Sequence, residues 1–411
     1  MVVGLDIGTA KVCVVIGERN ESGNLEITGI GFCPSTGIKK GVVVNIEATF
    51  RSVIAAVEEA EMMCGREIHS CWTGIGGSHI DGINSRGVVT VSGKNRETRE
   101  IGPEDLSRVL QLAQEVKITM DRQVLEVIPQ SYIVDSQKGI RNPLDMLGVR
   151  LEAEVHIITC SSTSAQNLIK CVNRAGFRVD DLILQSLAAG RSVLTQEEKE
   201  MGVALVDLGS GTTELLVYAD GAPCSTSSIP AGSELISRDI SIVRSISFEN
   251  AEKVKLEAGC CWDSLLEGDE VIIPGIGGRP TVSITREQVL EIVRPRVDEI
   301  YRLVKEKLDK LVLPLGAGIV LTGGGAMLSG AAELASHIFR MPVRVGNPLP
   351  VPGLSEEYRN PMYATAIGLA LEGNDRKSRG MEERGGEILV GGKGGNRWGI
   401  GRVVDWLKEF F

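Results

Sequence analysis

The sequence predicts an α/β protein of two related lobes, with a small α+β subdomain inserted into the first and an amphipathic helix at residues 398–411. Three observations carry this. A pattern of apolar strand, Asp, Gly, hydroxyl residue and second strand occurs twice, at residues 2–16 and 203–218. Residues 83–160 interrupt the first copy's lobe with a different texture. Apolar residues then recur at helical spacing in residues 400–411, after a stretch rich in glycine and charge. A length of 411 residues suits several domains, and 43% hydrophobic residues supply a sizeable core. The 49 glycines against only 4% aromatics favour many tight turns over an all-β sandwich.

Taken in order, residues 2–5 and 12–16 are apolar runs around the turn Asp6-Ile7-Gly8-Thr9, and residues 25–31 form a further strand. Val53, Ile54, Val57 and Ala60 at helical spacing predict a helix over 46–64. Residues 70–75 return to strand and stop at Gly76-Gly77. The first lobe is expected to comprise 1–82 and 161–199. Within the inserted subdomain, 83–160, Pro103-Glu104-Asp105 opens a helix with proline and acids in its first turn. Residues 125–128, 132–134 and 149–158 read as its strands. A charged hinge at 196–200 leads to the second lobe, 200–232 and 312–372, whose two parts flank a largely helical subdomain at 233–311. Residues 318–321 run as a strand into Thr322-Gly323-Gly324-Gly325. Residues 373–397 are expected to be a flexible linker.

Composition also excludes. A formal charge of −10 opposes a nucleic-acid partner. No run reaches the roughly 18–20 apolar residues needed to span a bilayer. The opening residues carry no signal-peptide pattern, and the nine cysteines show no CxxC spacing; both point to a reduced, cytoplasmic setting. Cys64, His69 and Cys71 lack a nearby fourth ligand, which disfavours zinc.

The duplicated turns carry the chemistry. Glycine lets the backbone bend tightly and present successive N–H groups to phosphate oxygens. In the first copy these are Gly8 and Thr9, with Lys11 adding a cation; in the second they are Gly209, Gly211, Thr212 and Thr213. Asp6 and Asp207, at matching strand ends, suit hydrated Mg²⁺, a hard ion that prefers oxygen. Taken singly, each turn fits an ordinary hairpin. Two copies half a chain apart favour two lobes closing on one nucleotide. Gly323, Gly324 and Gly325 offer bare backbone on which a nucleoside lies flat, or else a close strand–helix crossing.

These turns resemble the phosphate and adenosine loops of the actin-like ATPase superfamily, a fold of two duplicated ribonuclease-H-like lobes. The resemblance implies ATP with Mg²⁺ as ligand. Gln185, in the segment 182–190 that resembles the interlobe helix, takes the place of a water-orienting residue. Residues 251–256 resemble the helix contacting ribose and adenine, which carries over Glu252 and Lys255. The segments 128–135, 139–143 and 148–156 narrow the likeness to the FtsA family of bacterial cell-division proteins, covering nearly the whole chain. That family implies self-assembly into filaments and recruitment of the tubulin-like FtsZ to the septum. It also implies later division proteins as partners of the inserted subdomain. Residues 292–300 resemble the helix that receives the FtsZ tail, with Arg296 facing an acidic residue of it or serving only as a solvated charge. A glutamine is a poor general base, so hydrolysis is expected to be slow at most. Alternatives on the same fold are a PilM-like pilus-assembly adaptor and a small-molecule kinase.

The end of the chain adds a membrane expectation. Ile400, Val403, Val404, Leu407, Phe410 and Phe411 form one stripe at a 3.6-residue period, with Arg402, Asp405 and Glu409 opposite. Trp398 and Trp406 suit the headgroup boundary. Such a helix lies in the interface of the cytoplasmic membrane without crossing it. Docking on the protein's own body is the rival, disfavoured by a leash reaching about 28 Å. One copy binds weakly, and many copies in a filament bind firmly.

Overall fold

The computed structural model describes residues 1–20, 23–91, 98–266, 268, 270–273 and 281–385. Each lobe is built on a five-stranded sheet, and the two sheets share one topology. In the first, the order is Arg178–Leu184, Ser70–Ile75, Val2–Ile7, Lys11–Arg19, Leu25–Pro34. In the second it is Val343–Val345, Ile319–Thr322, Val203–Leu208, Thr213–Ala219, Ala222–Ile229. Three antiparallel strands are joined in each case by two parallel ones. Val2–Ile7 is buried at every position, as expected of a strand covered on both faces. The duplication seen in the sequence is therefore a duplication of whole lobes.

The helix Ile46–Cys64 forms over the predicted range because both ends are specified locally. The Asn45 side chain accepts from the Ala48 amide, and Gly65 adopts the left-handed conformation that ends it. Its buried face, including Val53, Ala56, Val57 and Ala60, lies on the strand Leu25–Pro34. Contact is close because Gly31 has no side chain; a Cβ there would overlap the Ala56 carbonyl oxygen.

The inserted subdomain has a four-stranded sheet ordered Gln137–Ile140, Arg122–Val134, Arg150–Ser161, Asp81–Thr90. The helix Pro103–Ala113 covers it, with Leu106, Val109 and Leu110 in the core. The two strand segments expected at 125–128 and 132–134 are one strand, because a register shift opposite Glu154 and Val155 absorbs Pro129. The subdomain also leans on the second lobe. The Asn84 and Gln130 side-chain amides donate to the carbonyls of Cys224 (3.0 Å) and Pro223 (3.2 Å), and His156 Nε2 lies 2.9 Å from Thr226 Oγ1.

The subdomain at 233–311 contains the helices Glu234–Arg244, Phe248–Ala258 and Arg286–Leu308, together with a hairpin of Glu270–Ile273 and Val282–Thr285 that the helical expectation missed. The expected hinge at 196–200 is a short helix, Gln196–Met201, closed by a Thr195/Glu198 capping box.

Two helices cross between the lobes. Gln185–Val193 packs against the long helix Ala364–Gly385, where a Cβ on Gly368 would overlap the Ala188 carbonyl. The long helix corrects the linker expectation, since residues 373–385 continue it. Tertiary contacts decide this. Arg19 donates to Asn374 at 2.8 Å, and the buried Arg376 pairs with Glu126 (2.8 Å), Asp181 (3.0 Å) and Glu372 (2.8 Å). The expected linker beyond 385 and the amphipathic helix at 398–411 lie outside the described residues. Among the described residues no helix is long and apolar enough to cross a membrane, and no cluster of metal-ligating side chains occurs, so Cys64, His69 and Cys71 do not converge.

Candidate functional site

Both predicted phosphate turns close in the same way. The Gly8 amide donates to the Lys11 carbonyl at 2.9 Å, and the Gly209 amide to the Thr212 carbonyl at 3.0 Å. Each turn joins adjacent antiparallel strands, which brings Asp6 opposite Cys13 and Asp207 opposite Glu214. Across the cleft, Gly211 faces Thr9, and a Cβ on Gly211 would lie 2.5 Å from Thr9 Oγ1. The copies that are half a chain apart in sequence thus meet in space.

Each acid at the strand ends is fixed by a side-chain hydrogen-bond donor. Gln185 is the first residue of its helix and donates from Nε2 to Asp6 Oδ1 at 2.8 Å. Thr365 donates to Asp207 Oδ2 at 3.3 Å. Burial pushes the Asp6 carboxyl up from its ordinary value. Burial and the nearby Asp6 charge push Asp207 up to about 6. Two buried acids, one raised further by the charge of the other, could hold a divalent cation, whose charge reverses that effect.

The remaining predicted residues divide. Gly323 and Gly325 press on the Val203–Leu208 strand, where a Cβ on Gly323 would overlap Asp207 Oδ1, whereas Gly324 has open space beside it. Glu252 and Lys255 form an ion pair of 2.8 Å, with Ser237 donating to Glu252 and Lys255 reaching the Ser233 carbonyl at 3.5 Å. Ser233 in turn donates its amide to the Gly209 carbonyl at 2.9 Å, tying this helical subdomain to the second phosphate turn. Thr213 turns its hydroxyl away, donating to the Ala231 carbonyl at 2.7 Å. Lys11 donates to the Met362 carbonyl and sits 5.0 Å from the Tyr363 ring centre, while its charge opposes the upward push on Asp6 and Asp207. Arg296 is engaged within its own subdomain by Asp239 (2.6 and 3.0 Å) and by Glu299.

Glu214 escaped the sequence reading. Its Oε1 accepts from the Gly77 amide of the first lobe (3.0 Å) and from Ser228 (2.9 Å), Thr212 adds a further side-chain donor to the carboxyl, and Oε2 is buried. Burial, opposed by these donors, leaves the carboxyl raised to about 7. The available signal was an acid within the apolar strand run that ends at residue 218, since buried acids need a reason.

Comparison with known proteins fits this geometry. The family model "Cell division protein FtsA" matches residues 204–368, and "SHS2 domain inserted in FTSA" matches residues 77–159. The cell division protein FtsA of Pseudomonas aeruginosa is 46% identical over 386 residues, covering 93% of this chain and 91% of the relative. This chain belongs to the FtsA family. The Escherichia coli FtsA is 38% identical over 421 residues, covering 100% of this chain and 98% of its own length. Among solved structures, the PilM–PilN type IV pilus biogenesis complex has a TM-score of 0.65 at 16% identity, covering 91% of this chain and 98% of that one. MreB5 of Spiroplasma citri bound to ADP has a TM-score of 0.54 at 14% identity, covering 93% and 97%. The fold of this FtsA-family chain is thus actin-like, and the inserted subdomain is the one its family model describes.

Proposed function

We propose that this chain binds Mg·ATP between its two lobes, polymerises on the cytoplasmic face of the membrane and tethers FtsZ there at the division septum. The observation that carries the nucleotide part is the meeting of Thr9 with Gly211, which closes two matched phosphate turns around Asp6 and Asp207. Gly8, Thr9, Gly209, Gly211 and Thr212 hold phosphates, the two aspartates hold hydrated Mg²⁺, and Gly323–Gly325 with Glu252 and Lys255 hold the nucleoside. The ADP bound to MreB5 of Spiroplasma citri supports the same reading for a shared fold.

ATP favours the assembled state, with hydrolysis slow at most. Assembly then multiplies the weak lipid affinity of one 398–411 helix. For the FtsZ tail, Arg296 exchanges the exposed Glu299 for an acidic residue of the tail while keeping Asp239. Later division proteins bind the inserted subdomain. Liposome flotation tests the whole scheme. The full chain with Mg·ATP floats and carries FtsZ with it, whereas a chain lacking residues 398–411 stays below while still binding ATP. Flotation retained by the shortened chain refutes the membrane reading, and an FtsZ that never co-floats refutes the tether.

A further inference from the structure

We infer that Lys40 is the cation that meets the terminal phosphate of the bound nucleotide and sets a preference for triphosphate over diphosphate. The inference rests on the nucleotide reading proposed above. Residues Ile38–Lys39 and Val42–Val43 pair as a minimal hairpin whose turn is Lys40-Gly41. Both turn residues have positive φ, 50° and 75°, as the tight two-residue hairpin turn requires.

This turn is wedged among three parts of the site. The Gly41 amide donates to Thr9 Oγ1 of the first phosphate turn at 3.3 Å. A Cβ on Gly211, in the second phosphate turn, would lie 3.0 Å from both Lys40 Cα and Lys40 N. A Cβ on Gly41 would lie 2.6 Å from Gly77 Cα, beside the amide that reaches Glu214. Lys40 therefore stands where the two lobes touch, at the end of the phosphate path.

The charge around that point needs a cation. Asp6, Asp207 and Glu214 place three carboxyls along the cleft, and a triphosphate adds more negative charge. Lys11, the lysine the sequence puts forward, is held by the Met362 carbonyl and the Tyr363 ring, and its charge already bears on Asp6 and Asp207. Lys40 is exposed and has no hydrogen bond or ion pair among the described residues. Its four-carbon stem carries a compact ammonium with three donors from a fixed root beside Thr9 and Gly211. Asparagine or glycine is the ordinary occupant of such a turn, and lysine adds to the same backbone a charge that can be presented to phosphate.

Calorimetry of the full chain with Mg·ATP and Mg·ADP tests this in the native protein and in Lys40→Asn and Lys40→Arg. Asparagine tolerates the left-handed turn, so the fold is kept, and an unchanged melting temperature verifies that. Lys40→Asn is expected to lose about tenfold in ATP affinity and less than about twofold in ADP affinity, and Lys40→Arg to restore most of the difference. An unchanged ATP/ADP ratio in Lys40→Asn, or an equal loss of both ligands, overturns the assignment while leaving nucleotide binding intact. A native chain that binds neither nucleotide overturns the nucleotide reading itself, and the role of Lys40 falls with it.

Discussion

Replacing Glu214 by Gln removes a buried carboxyl while keeping an oxygen to accept from the Gly77 amide and Ser228. Its folded value of about 7 lies above the ordinary 4.5, with burial the leading cause. The folded chain therefore holds this proton more tightly than the unfolded chain. Its contribution is fully present below pH 4.5 and is lost as pH rises through 7. The shift corresponds to roughly 3 kcal/mol at about 1.36 kcal/mol per unit. Urea unfolding of the nucleotide-free chain, followed by circular dichroism between pH 4.5 and 8, reads it. The native chain is expected to lose stability across this range, and Glu214→Gln to lose about 3 kcal/mol less. Asp207, raised to about 6, titrates in the same direction in both proteins, and since its charge is one cause of the Glu214 shift, the difference curve reads Glu214 together with that coupling. Parallel curves for the two proteins would show that Glu214 is already ionised in the cleft and would refute the reasoning.

Three further outcomes follow from the same geometry. Asp207→Ala is expected to weaken Mg·ATP binding by about tenfold or more by calorimetry, and unchanged affinity would remove Asp207 from the metal site. Gly323→Ala places a methyl group onto Asp207 Oδ1 at a φ of 82°, and should lower the denaturation midpoint by an amount equivalent to about 1–3 kcal/mol while abolishing nucleotide binding. Arg376→Ala removes the cation that Glu126, Asp181 and Glu372 share. It should destabilise the chain by about 3–5 kcal/mol, with hydrogen exchange rising first around residues 372–378; native-like exchange there would contradict the role given to the network.

What could be read without coordinates was whatever neighbouring residues decide among themselves. The helix Ile46–Cys64 was legible from the spacing of Val53, Ile54, Val57 and Ala60, and the structure shows its ends set just as locally by Asn45 and Gly65. The two phosphate turns were legible because Asp, Gly and a hydroxyl residue shape a hairpin locally, and because the pattern occurs twice. Asp6 and Asp207 were placed in one site on that footing and Gln185 by the family resemblance alone, and the structure brings Asp6 and Gln185 into hydrogen-bond contact.

Other features depend on partners far along the chain. Residues 373–385 look like a linker by composition, yet they are helical where Arg376 finds Asp181 and Glu126, 195 and 250 positions away. Lys11 sits beside Gly8 in the sequence, but that its ammonium also meets the Met362 carbonyl, 351 positions away, is set only by the fold. Lys40 carries no local signature and Glu214 only that of an acid in an apolar strand run, and their meaning comes from Gly77 and Gly211 across the cleft. The sequence by itself determined the two turns, the acids at their strand ends and the family. Only the tertiary structure decided which charges face the cleft, because a side chain's preference between solvent, a carbonyl and another charge depends on distances that closing the two lobes creates.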